Sequence, residues 1–368
     1  MRARRVYVYF DDAMRSFLTR HFVFAVVYSF MSVGSAHACD VCGIYSAVQF
    51  DSPIEGSFRL GAAEQFTYLN RIQRNGSYVD NVDNQFLKSS VTQVIGSYDA
   101  NESTSFQVVL PVIARDYRRI EDGSPQTGST SGIGDISLVA NYVPVRYAEG
   151  ETLVRWRVFG GLELPTGDAH LLGEEAVPHN DSPSEPEGDG EHGDESPDEG
   201  HDEHMALKHG GMDHETGAEN AIHGHDLALG SGSWDVPFGT GLIIQQGRYV
   251  LQGDAQYTIR TEGAYDYTYA NDWVWSAAAG RYLLSSDEAQ VSLRARLSGQ
   301  YKGKDTGAGG VEYEDTAFNG TFIGPELTAL SNHTWLGVLG WDMPLNVNNS
   351  DLQITPSWRI RAALTYRF

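Results

Sequence analysis

A segment between residues 168 and 233 of this 368-residue chain holds most of the side chains that could bind metal ions. Imidazole suits Zn²⁺, Cu²⁺ and Ni²⁺, and the many carboxylates around it raise the local concentration of cations. Nine of the chain's 12 histidines lie here: His170, His179, His192, His201, His204, His209, His214, His223 and His225. We therefore predict a metal-binding loop, although no fixed four-ligand spacing stands out. The alternative is a solvated acidic segment in which histidine has merely accumulated.

The cysteine pair at Cys39 and Cys42 is the second feature with chemical content. A local disulfide is the default in an oxidising compartment, and a soft metal site for Cu(I) or Zn²⁺ is the next reading. Cys39 could also carry a lipid, although the residues before it match a lipidation motif poorly. A thioredoxin-type redox centre lacks its βαβ setting. The sequence leaves the first three readings open.

The residue types needed for catalysis are missing outside the loop. After the signal segment, His333 is the one remaining histidine, and neither a serine nucleophile elbow nor a His-Glu-x-x-His motif occurs. We therefore predict that the protein is not an enzyme and requires no cofactor. The net charge of -23 and the lack of a basic patch argue against a nucleic-acid partner.

The first 38 residues have the features of a secretory signal peptide. Arg2, Arg4 and Arg5 precede an apolar run over residues 22–33, and Ala36 and Ala38 have the small side chains that a signal peptidase selects. We divide the chain into a signal peptide (1–38), a periplasmic N-terminal segment with the two cysteines (39–55) and a β-barrel (56–368). The barrel contains the inserted loop (167–233), which its composition predicts to be largely disordered without a ligand.

The residue pattern at the end of the chain indicates that β-strands must position the candidate residues. Ile360, Leu364 and Phe368 fall on one face, and Arg359 and Arg361 fall on the other. An apolar outer face and a polar inner face are typical of a transmembrane β-barrel in the bacterial outer membrane, and the final aromatic resembles the C-terminal signature of such proteins. The pattern predicts an all-β, antiparallel up-and-down barrel of about 12 strands. Their expected ranges are 57–69, 91–98, 104–115, 133–144, 153–164, 237–246, 249–260, 272–284, 289–301, 321–330, 335–344 and 356–368.

The connections between these strands alternate strictly between long and short. Long connections, including the expected loop 116–132, belong outside the cell, and short turns belong in the periplasm. Facing charges on the inner wall could pair and plug the lumen or line a wet path. The predicted inner wall contains Asp135, Arg155, Arg157, Asp254, Arg260, Arg294, Arg296, Glu326, Arg359 and Arg361.

Two strand motifs carry a family resemblance. Residues 132–142 match the pattern GxGDxxLxxxY through Gly134, Asp135 and Tyr142, and residues 161–167 match GLxLPTG. These motifs resemble the outer-membrane family associated with the meta-pathway of phenol degradation. The resemblance implies a channel or transporter for small, often aromatic, solutes. The His-rich loop and the cysteine pair depart from that family's pattern.

Together these features predict an outer-membrane channel or transport component for small solutes or metal ions, with a metal-binding extracellular loop. The alternative is a surface metal-binding protein whose barrel is only a membrane anchor. The expected partners are outer-membrane lipid and either a small solute or a divalent metal ion. The sequence does not determine the oligomeric state.

Overall fold

The computed structural model describes residues 53–175, 219–286 and 288–368. The predicted signal peptide, Cys39 and Cys42 lie outside these residues. Within them no helix is long and apolar enough to cross a membrane. The strands are β1 (Phe58–Arg74), β2 (Ser77–Val79), β3 (Phe86–Asp99), β4 (Thr104–Glu121), β5 (Ser124–Ile133), β6 (Ile136–Glu149), β7 (Thr152–Leu164), β8 (Val236–Gln246), β9 (Tyr249–Ile259), β10 (Asp272–Ser285), β11 (Ala289–Lys302), β12 (Phe318–Ser331), β13 (Trp335–Asn349) and β14 (Leu352–Arg367).

Twelve of these strands form a closed antiparallel barrel. Each pairs with its neighbours in chain order, and β14 pairs with β1 to close the ring. Closure satisfies every strand edge, which a sheet in contact with lipid requires. The predicted 12-stranded up-and-down barrel is confirmed. The two further strands, β2 and β5, extend the walls at the extracellular end.

The region 116–132 differs from the expected loop. Strand β4 continues to Glu121, and β5 returns along it with Ile133 opposite Val112. Asp122 and Gly123 form the turn with φ angles of 49° and 69°. The loop prediction was wrong because an Asp-Gly pair favours this left-handed turn conformation, which lets the flanking residues pair as a hairpin.

The two faces of the barrel differ in polarity as the alternation predicted. On β14, Ile360 and Leu364 are 40% and 53% exposed, whereas Arg359 and Arg361 are 4% and 3% exposed. Apolar side chains on the outside suit lipid, and charged ones are tolerated only inside the closed wall. The protein is therefore a bacterial outer-membrane barrel.

The expected asymmetry of the connections is also present. The turn between β12 and β13 is short, with Asn332 and His333 at φ angles of 50° and 54°. The connections β7–β8, β9–β10 and β11–β12 are longer and lie at the opposite, extracellular end. The described parts of these connections fold together into a cap over this end of the barrel.

Candidate functional site

Charged side chains on the inner wall form a central cluster around Glu326. Its carboxylate lies 3.0 Å from Arg361 and 3.5 Å from Arg296, and Arg361 also lies 2.6 Å from Asp342. These residues come from β11, β12, β13 and β14. Gly340 makes room for the cluster, because a Cβ there would lie 2.6 Å from the Arg361 guanidinium. Glu326 and Asp342 thus provide the negative charges that buried arginines require.

Smaller ion pairs line the rest of the wall from one end to the other. At the periplasmic end, Arg59 lies 2.6 Å from Asp99. Midway along the wall, Arg157 on β7 lies 3.3 Å from Asp254 on β9. Gly241 on the strand between them leaves the space, since a Cβ there would lie 2.6 Å from the Asp254 carboxylate.

The extracellular end of the wall has a three-carboxylate cluster around Arg260. This guanidinium lies 3.0 Å from Glu163 and 2.8 Å from both Asp235 and Asp272. Most of the predicted inner-wall residues therefore point inward as expected: Arg157, Asp254, Arg260, Arg294, Arg296, Glu326, Arg359 and Arg361. The anions Asp99, Asp235, Asp272 and Asp342 were not predicted. Asp272 and Asp342 occupy inward-facing positions in the alternation of their strands, and this alternation could have identified them from the sequence.

Asp135 fastens both ends of the long β7–β8 connection. It lies between β5 and β6, where one long strand is interrupted. Its carboxylate accepts hydrogen bonds from the backbone N–H groups of Thr166, Gly167 and Ser231 at 2.9, 2.7 and 2.7 Å. The Ser231 hydroxyl adds a bond at 2.9 Å. Asp135 therefore anchors both ends of this connection through hydrogen bonds.

The described parts of the long connections fold into a cap over the barrel. We define the cap as residues 165–175, 219–235, 261–271 and 303–317. It contains a short α-helix, α1 (Gly224–Leu227), and its own buried clusters. Ile222 and Leu227 are fully buried against barrel residues such as Leu69 and Leu87. Both described ends of the His-rich loop therefore differ from the disorder expected of it, because their apolar residues reach the barrel rim.

A cavity of about 90 Å³ lies under the cap at the extracellular end of the lumen. His225 and Asp226 line it from the cap, and Lys302, Arg115 and Arg359 line it from the wall. Lys302 is paired with Asp305. The cavity therefore has basic and apolar side chains of the wall below it, such as Lys302 and Phe318, and the cap above it.

The structure brings two of the nine predicted histidine ligands together. Donor atoms of His223, His225 and Asp315 all lie within 4.8 Å of one another. His170 is exposed and lies 2.8 Å from Asp168, outside this group. Asp315 was not predicted, since it lies in the β11–β12 connection, far from the histidines in sequence. The remaining histidines lie outside the described residues: His179, His192, His201, His204, His209 and His214.

Electrostatics in the cap favour a charged His225. Burial by itself would lower its pKa, but Asp226 and Glu175 outweigh this and raise the pKa of His225 to about 9. In return, although burial favours the neutral acid, His225 holds the pKa of Glu175 below its usual range. The cap thus concentrates carboxylates around the imidazoles of His223 and His225.

Comparison with known proteins identifies a fold relative. No protein-family model matches this sequence, and neither does any curated protein. The barrel is similar to the crystal structure of an outer-membrane channel from Pseudomonas putida F1, with a TM-score of 0.57 and 16% identity over 87% of this chain and 98% of that chain.

Two other solved barrels are more distant. They are the β domain of the Bordetella autotransporter BrkA and the toluene transporter TodX of P. putida. The autotransporter domain has a TM-score of 0.39 and 10% identity over 85% of this chain and 100% of that chain. The toluene transporter has a TM-score of 0.35 and 11% identity over 85% of this chain and 89% of that chain. The chain is an outer-membrane β-barrel that shares the fold of a channel.

Proposed function

We propose that this protein is an outer-membrane channel or transport component through which small solutes or metal ions pass along the barrel lumen. The observation that carries the proposal is the charged inner wall. Ion pairs follow it from Arg59 and Asp99 at the periplasmic end to Arg260 at the extracellular end. A wall that only filled the barrel could be apolar, whereas charged rings are the usual device for selecting solutes in a pore.

The chemistry of this wall favours polar or charged solutes. Arg157, Arg296 and Arg361 lie on it, beside an apolar patch that includes Val91 and Val109 on another part of the wall. The resemblance to the phenol meta-pathway family suggests aromatic solutes instead. An aromatic solute with a carboxylate or hydroxyl group would satisfy both considerations, because arginine binds such oxygens well.

We further propose that the His-rich loop binds divalent transition metals at the cell surface. Zn²⁺, Cu²⁺ and Ni²⁺ fit its imidazoles and carboxylates. The second candidate function follows from this: a surface metal-binding protein in which the barrel is only an anchor. The observation in its favour is that the inner-wall charges pair with one another, as Glu326 does with three arginines, and pairing could close the lumen.

Single-channel recording in planar bilayers separates these two functions. Purified protein with a chelator should give discrete conductance steps if the lumen is a path. An anchor with a closed lumen should give no steps, even when heat-modifiable migration on gels shows that the barrel is folded. Folded protein without conductance steps would indicate that the function of the protein is metal binding by the surface loop.

A further inference from the structure

Two imidazoles and a carboxylate from different parts of the cap converge on one point. His223 precedes α1 in an extended conformation, and His225 lies in its first turn. Their rings are stacked with centroids 5.7 Å apart. Asp315 reaches them from the β11–β12 connection, and its Oδ2 lies 2.9 Å from Nδ1 of His223. The three donor atoms that lie within 4.8 Å of one another could therefore share a single ion.

The ring of His225 is oriented by a carboxylate behind it. Its Nδ1 lies 2.9 Å from Oε1 of Glu175, and this oxygen also accepts the His225 backbone N–H. The other ring nitrogen, Nε2, lies 3.6 Å from Oδ1 of Asp226. A carboxylate that holds one nitrogen and frees the other is the usual support of a metal-bound histidine.

Asp226 is held in place independently of any ion. Its Oδ2 accepts the backbone N–H of His223 at 3.0 Å, so Oδ1 remains on the side of His225. This capping interaction fixes the spacing between the two histidines and the neighbouring carboxylate. The four groups are thus arranged before binding, which lowers the entropic cost of forming a site.

Simple ion pairing leaves this cluster incompletely satisfied. Nδ1 of His223 is buried and lies close to Asp315, yet outside hydrogen-bonding geometry in the described structure. Three carboxylates, those of Glu175, Asp226 and Asp315, surround two imidazoles, and the nearby Lys302 is engaged by Asp305. Bound to the two neutral rings, a dication would supply the same two positive charges as two ring protons, and it would also give Nδ1 of His223 a partner.

We propose that His223, His225 and Asp315 bind one transition-metal dication, with Asp226 beside them as a further oxygen ligand. Nitrogen and carboxylate donors in this number suit Zn²⁺. The site goes beyond the proposed loop function, because it is one ordered site and because Asp315 lies outside the His-rich segment. It does not depend on whether the lumen conducts.

The bound ion would brace the cap over the lumen. It would join α1, near the C-terminal end of the His-rich loop, to the β11–β12 connection. His225 and Asp226 also line the cavity of about 90 Å³ beneath the cap. Zn²⁺ at this position therefore stabilises the roof of the chamber that a solute would enter first.

Asp315 provides the sharpest test, because metal binding by enriched histidines alone would not need it. The affinity of the full-length protein for Zn²⁺ is measured in detergent at pH 7.5 by competition with a chromogenic chelator. Asp315→Asn should weaken the tightest site at least tenfold. The matched control is Glu312→Gln, which removes the same charge from the same connection at an exposed residue, and it should change the affinity less than twofold. Equal affinities for the wild type and Asp315→Asn would overturn the proposal.

A second pair of variants tests the histidine side. His223→Gln should weaken the tightest site as Asp315→Asn does, whereas His333→Gln, in the β12–β13 turn outside the His-rich loop, should leave it unchanged. Heat-modifiable migration verifies that each variant is folded. Crystals of the wild type soaked in Zn²⁺ should give an anomalous peak between His223, His225 and Asp315. A folded wild type with anomalous peaks only elsewhere would refute the site even if a variant failed to assemble.

Discussion

Glu175 and His225 are held together by two contacts to one carboxylate oxygen. Oε1 of Glu175 lies 2.9 Å from both the backbone nitrogen and Nδ1 of His225. Glu175 precedes residues 176–218 and His225 follows them, so the pair joins the two described ends of the His-rich loop. The hydroxyl of Tyr313 donates to the backbone oxygen of Glu175 and adds the β11–β12 connection. The loop is therefore tied down at its base, directly above the lumen.

This pair makes the cap of the metal-free protein sensitive to alkaline pH. The pKa of His225 is raised to about 9, so the stability that its charged form contributes is complete below about 6.5, the ordinary histidine value, and is lost as the pH rises through 9. The pKa of Glu175 is lowered, so its contribution is lost only in acid. Hydrogen-exchange protection factors of residues 224–229, measured with chelator, should fall between pH 6.5 and 9. His225→Gln should flatten this dependence, and an unchanged wild-type profile would contradict the assignment.

Asp135 should control how firmly the cap is attached. Asp135→Asn removes the charge that strengthens four hydrogen bonds to Thr166, Gly167 and Ser231. We expect the local free energy of opening to fall by about 1–3 kcal/mol, which speeds amide exchange of Gly167 and Ser231 while the barrel strands stay protected. Asp116→Asn, exposed on β4, serves as the control. Equal exchange in both variants would mean that Asp135 is not the anchor.

Glu326 should be essential to the central cluster. Glu326→Gln leaves Arg294, Arg296 and Arg361 with less negative charge in a buried site. Breaking such a buried pair costs about 3–5 kcal/mol, which should lower the urea midpoint of the barrel in detergent clearly. Glu288→Gln, at the periplasmic end, should leave the midpoint unchanged. A wild-type midpoint for Glu326→Gln would show that the arginines find other partners.

The segment 176–218 should bind metal without supporting the barrel. Replacing it with a Gly/Ser linker should preserve heat-modifiable folding, because β7 and β8 pair directly as Gly160 opposite Phe238 shows. Zn²⁺ stoichiometry, measured by equilibrium dialysis at pH 7.5, should fall from several ions per chain to one. A second variant keeps the full length of the chain and replaces the six histidines of this segment with serine. This control separates the loss of histidines from the loss of chain length. An unchanged stoichiometry in both variants would remove the segment from metal binding.

The strands were predictable because each has a clear period of two. Arg359 and Arg361 alternate with Ile360 and Ala362, and lipid outside a closed wall permits no other arrangement. The inward direction of these arginines followed from the same parity. The local sequence Asp122-Gly123 also favours the hairpin turn that the structure shows.

The candidate site could be predicted only in part, because it depends on contacts between distant segments. Composition drew attention to His223 and His225 but gave them the same weight as the other histidines of the loop. Asp315 lies near these histidines because the β11–β12 connection folds over the lumen, and no local sequence pattern predicts that path. The prediction of metal binding at Cys39 and Cys42, and at the six histidines of residues 176–218, stays a prediction.

The central claim is that solutes pass through the charged lumen, and the reversal potential across a KCl gradient tests it most directly. Arg157 lies on the inner wall beside Asp254, whereas Arg281 lies exposed on the outer face of β10. Removing an inner-wall cation should shift permeation toward K⁺. The account predicts discrete channels whose reversal potential moves toward the K⁺ equilibrium potential in Arg157→Gln and stays at the wild-type value in Arg281→Gln. Folded protein without channels, or the same reversal potential in all three proteins, would contradict it.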